Sequence, residues 1–290
     1  MTQSRAMLCA LSAFFAWVLV DTAIKLGSQG QPALSPFVIM AVLGLCGAVG
    51  VGALAVFKRK VALLRPCSLR EQTGIALCAV GINYANVFAL KHLPLTMFYV
   101  VIFTIPLVIA ALSALLKHER LTLVKIGCLI AGFFGAALAI GVAGSGGDAL
   151  GYAAAFTSVL CFSIYTILMR KIAKTDTVES TQFINALCVG AFGLAGALAQ
   201  ASVGLEGKLL ALMIVAGIIN VFGNILYNTA LQNTVSTNVA QLHYTQIISG
   251  AILGYLIWHE VPTWNLITGS LVIIASGMIV AAQAHRRGAE

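Results

Sequence analysis

Two His-Glu pairs, His118-Glu119 and His259-Glu260, are the first residues of this 290-residue chain that suggest chemistry. A His beside a Glu suits a zinc hydrolase. That site, however, needs H-E-x-x-H, with a second His one helical turn on, and neither pair has it. Ser145-Gly146-Gly147-Asp148 falls one Gly short of the G-x-G-D pattern of intramembrane aspartyl proteases. Neither a Walker A sequence nor G-x-S-x-G occurs, which argues against an ATP-driven pump or a familiar membrane hydrolase. The seven cysteines are scattered without C-x-x-C spacing. They read as small apolar packing residues, with no disulfide framework and no metal site. The chain is expected to be no enzyme and to need no cofactor and no metal.

The remaining polar residues suit binding. Asn220, Asn224, Tyr227 and Asn228 stand three and four apart, on one face of a helix. Asn83, Tyr84 and Asn86 form a second group. Gln241, His243, Tyr244, Thr245 and Gln246 form a third. Thr96, Tyr99 and Thr104, with Trp17, Ser163, Tyr165 and Thr166, add hydroxyls and rings. One reading is a central cavity lined by neutral hydrogen-bonding groups. The other is bonding between helices, a common use of Asn, Gln, Ser and Thr in membranes. His243 either binds substrate, reports pH near its reference pKa of ~6.5, or packs against a neighbouring carbonyl. Asp21 is the only carboxylate inside an apolar stretch, and Lys25 follows it by one turn. An i,i+4 ion pair is the simpler expectation for these two, and proton coupling the alternative.

The elements that must hold these residues are membrane helices. Hydrophobic residues make up 60% of the chain and charged ones 9%, against about 25% charged in a soluble domain. Ten apolar stretches follow one another: 6–26, 35–57, 73–92, 94–116, 121–143, 149–170, 179–202, 208–231, 236–258 and 264–284. Each is close to the ~20 residues that cross a bilayer as a helix. The strict alternation of a membrane β-barrel is absent. The first stretch reads as a membrane helix and not a signal peptide, because it carries Asp21 and Lys25 and lacks a small-x-small cleavage pattern. Of the 17 Lys and Arg residues, all but Lys25, Lys91 and Lys208 fall on one side when the helices are numbered from a cytoplasmic start. The positive-inside rule therefore predicts both termini inside. The net charge of +8 is topology, not a nucleic-acid surface.

The ten stretches repeat as five and five. At an offset of 141, His118-Glu119 meets His259-Glu260, Asn83 meets Asn224, Thr96 meets Thr237 and Thr104 meets Thr245. Lys25 meets Lys171 at 146, and Gly127 and Gly135 meet Gly269 and Gly277 at 142. An odd number of helices per half makes the repeat inverted, with units at 1–143 and 149–284 and a cytoplasmic tail at 285–290. Inverted repeats characterise many alternating-access transporters. Pro106 interrupts the fourth stretch and should kink it, whereas Ile247 stands at the matching position. It is the expected point of compliance. Gly250-x-x-x-Gly254 permits close helix approach.

A Glu closing the fourth and ninth stretches, a Pro about 13 residues before the first of them, and Gly-spaced fifth and tenth stretches resemble the EamA-type repeat of the drug/metabolite transporter superfamily. Within it, the chain looks most like the bacterial aromatic amino acid exporters of the inner membrane. The resemblance implies an all-α basket of ten transmembrane helices around a central cavity, lined by helices 1, 3, 4, 6, 8 and 9. The expected function is export of aromatic and other neutral amino acids and related metabolites. Asn83, Tyr84, Asn224, Tyr227, His243 and Gln246 would meet the polar end of such a solute. Trp17, Tyr99 and Tyr244 would meet an apolar side chain. A multidrug exporter is the runner-up; Phe14, Phe15 and Trp17 stand where cation exporters of the superfamily carry a Glu. A sugar or nucleotide-sugar carrier also shares the fold, and the scarcity of buried Lys and Arg argues against a phosphate-bearing substrate. A membrane-embedded transferase would need convergent acids or bases, and only Asp21 and His243 lie at depth. The expected partners are the small solute and the lipid bilayer, without nucleic acid. A single chain suffices to enclose the cavity.

Overall fold

The computed structural model describes residues 3–30, 33–66, 68–115, 123–141, 148–172, 176–200, 207–233 and 245–288. All regular structure among them is helical. The helices are α1 (Gln3–Gln29), α2 (Pro36–Phe57), α3 (Leu69–His92), α4 (Leu95–Ile102), α5 (Ile105–Leu115), α6 (Leu123–Gly141), α7 (Ala149–Ile172), α8 (Val178–Ala199), α9 (Gly207–Asn233), α10 (Thr245–Trp258) and α11 (Trp264–Gly288). A single 3-10 turn, Val61–Leu64, lies between α2 and α3.

Local chemistry sets the boundaries. Pro36 opens α2 with its φ already helical, and the Ser35 hydroxyl accepts from the Val38 N–H. Arg59, in the left-handed region at φ 54°, ends α2: its N–H bonds the Val56 carbonyl, and that of Lys60 bonds Ala55. Thr177 caps α8 by accepting from Ser180 N–H. The fourth apolar stretch is two helices. α4 stops at Ile102, the chain turns through Phe103 and Thr104, and α5 begins one residue before Pro106. Proline has no N–H to return to Ile102, so the ladder opens there.

Among the described residues, six helices are long and apolar enough to cross a bilayer: Met7–Gln29, Pro36–Phe57, Leu69–His92, Ala149–Met169, Val178–Ala199 and Gly207–Tyr227. The apolar segments of the other helices, such as Ile126–Ala139, Ile248–Trp258 and Trp264–Ile279, are shorter among the described residues. α4 sits at the centre, with every residue from Leu95 to Ile102 buried. Around it the helices meet in pairs: α1 with α9, α2 with α8, α3 with α7, α4 with α10 and α6 with α11. Large apolar side chains such as Val49, Leu77, Phe134 and Leu198 lie exposed around the outside, as lipid-facing surfaces require.

Three of these contacts are made by glycine. A Cβ on Gly190 would stand 2.9 Å from the Leu45 nitrogen, and one on Gly193 would stand 2.7 Å from the Phe37 carbonyl, so α8 lies backbone to backbone on α2. Gly44 meets Gly190 from the other side. A Cβ on Gly135 would stand 2.9 Å from the Gly269 carbonyl, which brings α6 equally close to α11. Gly250 lies on the Tyr99 ring, and a Cβ on Gly254 would stand 2.7 Å from Glu260 Oε2. The spacing of four thus lets α10 approach α4.

Candidate functional site

A polar network that joins several helices lies where α1, α3 and α10 end and α4 begins. α10 finishes at Trp258, and His259 takes a left-handed φ of 56°. This turn returns the Glu260 N–H to the Gly254 carbonyl at 3.1 Å and sends the Glu260 side chain inward. There Oε1 accepts from Lys25 Nζ at 2.5 Å and from the Leu95 N–H at 3.0 Å. Oε2 accepts from the Thr96 N–H and hydroxyl, both at 3.2 Å. One carboxylate therefore ties α1 to α10 and caps the N-terminus of α4, where free N–H groups and the helix dipole favour negative charge. The Lys25 side chain is 3% exposed, and its ammonium lies 4.4 Å from the centroid of the Trp258 ring.

One turn deeper on α1, Asp21 accepts from the Tyr99 hydroxyl at 2.7 Å. The expected Asp21–Lys25 pair does not form. Each residue finds a partner on another helix. Glu260 outcompetes Asp21 for the ammonium because backbone N–H groups already fix its carboxylate within reach. Other ties gather at the same end. Gln29 donates to the Lys91 carbonyl at 3.0 Å, and His92 meets Asp148 at 2.8 Å. The Asp148 carboxyl is held below the usual carboxylate range, first by the Gly151 N–H and then by His92.

Farther along the bundle, α1 and α9 bring Trp17, Phe14 and Tyr227 together, with the Trp17 and Tyr227 rings 5.0 Å apart. Asn224 donates to Asn220 at 3.4 Å on the preceding turn of α9. Gln246 of α10 is buried and donates to the Phe14 carbonyl at 3.2 Å. Asn83 donates to the Ala79 carbonyl of its own helix at 2.8 Å. Tyr84 joins an aromatic cluster with Phe37 and Phe192 and is 37% exposed. His243 and Tyr244 lie outside the described residues, as does the His118-Glu119 pair.

Three contacts escaped the sequence reading. Glu260 looked like a surface helix end, yet it is the hub of the network. The signal for it was that Lys25 is the one cation on helix 1 at that end and that Glu260 has no cation in its own loop. Asn86 accepts from Ser158 at 2.5 Å, and Asn185 donates to the Tyr165 hydroxyl at 3.2 Å, which ties α3 to α7 and α7 to α8. No group of His, Cys, Asp and Glu among the described residues could hold a metal ion.

Helices of this length and apolarity, wrapped around a buried ion pair and cross-helix hydrogen bonds, define a multi-pass membrane protein. The comparisons narrow the class. The chain belongs to the EamA-like transporter family, whose model matches residues 4–141 and 149–282. It is thus a membrane transporter of the drug/metabolite type. No curated protein matches it. A crystal structure of a protein 22% identical in sequence superposes with a TM-score of 0.69 over 99% of both chains, a likeness of fold.

Proposed function

We propose that the protein exports aromatic and other neutral amino acids, and related metabolites, from the cytoplasm across a bacterial inner membrane. The observation that carries this reading is the Trp17–Phe14–Tyr227 cluster beside the Asn220–Asn224 pair. Rings from α1 and α9, with two amides on the same helix as Tyr227, suit a solute with an apolar side chain and a zwitterionic end. A lipophilic cation would want a carboxylate at that depth, and Asp21 is already engaged by Tyr99.

The mechanism is alternating access by ten helices in two inverted halves of five. The helix partners support this. Exchanging the halves turns the α1–α9 contact into α7–α3 and maps α2–α8, α4–α10 and α6–α11 onto themselves. The Lys25–Glu260–Thr96 network then latches the outer end in the present state. The sequence repeats its three residue types as Lys171, Glu119 and Thr237. Glu119 and Thr237 lie outside the described residues. In this reading the second trio takes the same role for the opposite state, as the two halves of inverted-repeat transporters do.

Counterflow of labelled phenylalanine, methionine and threonine into preloaded proteoliposomes tests the assignment. Wild type should exchange all three, and Trp17→Ala and Asn224→Ala should slow phenylalanine exchange at least about tenfold, the loss of one ~1.4 kcal/mol interaction. Full-rate exchange in both variants, or none in wild type, would refute it.

A further inference from the structure

The opposite end of the bundle carries a second organised surface. Lys58, Arg59, Lys60 and Arg65, in the segment that joins α2 to α3, and Arg70, in the first turn of α3, are all exposed. None of the five makes an ion pair among the described residues. The carboxylates that open α3 and α8 are otherwise disposed. Glu71 and Glu179 stand in the first turns of α3 and α8, where the helix dipole favours them, and Glu71 accepts from the Ser68 hydroxyl.

The segment is pinned in place. The Thr177 hydroxyl, at the N-cap of α8, donates to the Leu63 carbonyl at 2.6 Å. The cations therefore lie over the ends of α3 and α8. Between those helices runs a groove of about 200 Å³, lined by Leu69, Gln72, Ala76, Val80, Ile184 and Cys188. It opens onto the apolar outside of the protein, since Leu69 is 73% exposed. Thr73 and Gln72 are the polar residues of that wall; the Thr73 hydroxyl donates to the Leu69 carbonyl at 2.8 Å, and Gln72 is buried, its Nε2 donating to the Thr181 hydroxyl at 2.8 Å.

We propose that groove and basic segment together bind one anionic phospholipid. The acyl chain lies in the groove, and the phosphate meets the exposed Lys and Arg side chains above it. The charge complementarity is direct: unpaired guanidinium and ammonium groups at a membrane surface attract anionic lipid, and the Arg fork matches phosphate. A solvated charged loop would need no apolar groove beneath it. A lipid-filled gap between helices would need no five cations above it.

Native mass spectrometry of the purified full-length protein, delipidated and then offered lipids of matched acyl chains, tests this. Wild type should retain phosphatidylglycerol in preference to phosphatidylcholine. The triple variant Lys58→Gln/Lys60→Gln/Arg65→Gln alters exposed positions only. It should lose that preference by roughly fivefold per cation, on the order of a hundredfold in all. Glycerol phosphate, which has the headgroup charge without the chains, should fail to compete. Equal retention of the two lipids would overturn the proposal, as would undiminished phosphatidylglycerol in the triple variant. Full competition by glycerol phosphate would reduce the surface to a simple anion site and overturn it too.

Discussion

Lys25 lies where water cannot solvate it, and its charge is tolerable only because Glu260 meets it. Breaking such a pair from one side leaves a buried charge without a counter-ion. Glu260→Gln should therefore destabilise the protein by about 3–5 kcal/mol. Lys25→Met with Glu260→Gln should cost far less than the two single changes combined. Reversible denaturation of the four proteins in micelles gives the coupling energy, and a value near zero would show that the pair holds nothing together. At this scale the sequence was half legible. Lys25 and Asp21 stood out as charges in an apolar stretch, and both are placed in polar networks. Their partners were not readable, because helical spacing points to neighbours on the same helix. Which carboxylate comes within reach depends on how α1, α4 and α10 pack. The left-handed turn at His259, which swings Glu260 inward, leaves no mark in residue type.

The glycines of α10 show what an element must give up for such a network to exist. Gly254 faces the Glu260 carboxylate and the Thr96 hydroxyl so closely that an added methyl group must displace one of them. Gly254→Ala should destabilise by about 1–3 kcal/mol, as overpacking does. It should also shrink the Lys25–Glu260 coupling when the same double-mutant cycle is run in its background. An undiminished coupling would mean that the carboxylate has room to spare. The four-residue glycine spacing was visible in the sequence, but its partner was not, since the chain holds many glycines. The fourth apolar stretch was legible as an interrupted helix through Pro106. That it resolves into α4 and α5, with a turn at Phe103 and Thr104, follows from which carbonyl loses its donor. Tyr84 shows the limit of residue type: a tyrosine in an apolar helix reads equally well as cavity lining or as part of an aromatic cluster, and only packing decides.

For the molecule as a whole, apolar length and the repeat were written in composition and offset, whereas the choice of partner for each helix was not. The proposed two-state cycle makes a demand that spans both halves. Glu260→Gln should raise labelling, by an impermeant maleimide applied from the Lys25 side, of a cysteine placed at Asn224 after the native cysteines are removed. Glu119→Gln should lower it. Equal or parallel shifts in proteoliposomes would refute the idea that the two trios hold opposite states. The crossing of α2 on α8 bears on how such a protein diversifies. Side chains elsewhere must match their neighbours, so a change in one helix calls for a change in another. A crossing made of backbone asks only that Gly44, Gly190 and Gly193 stay small. The residues near Trp17 and Asn224 lie on α1 and α9, so a change there leaves that crossing as it is. A lineage built on this plan can therefore vary the lining of one part of the bundle while passing on the backbone crossing of another unaltered.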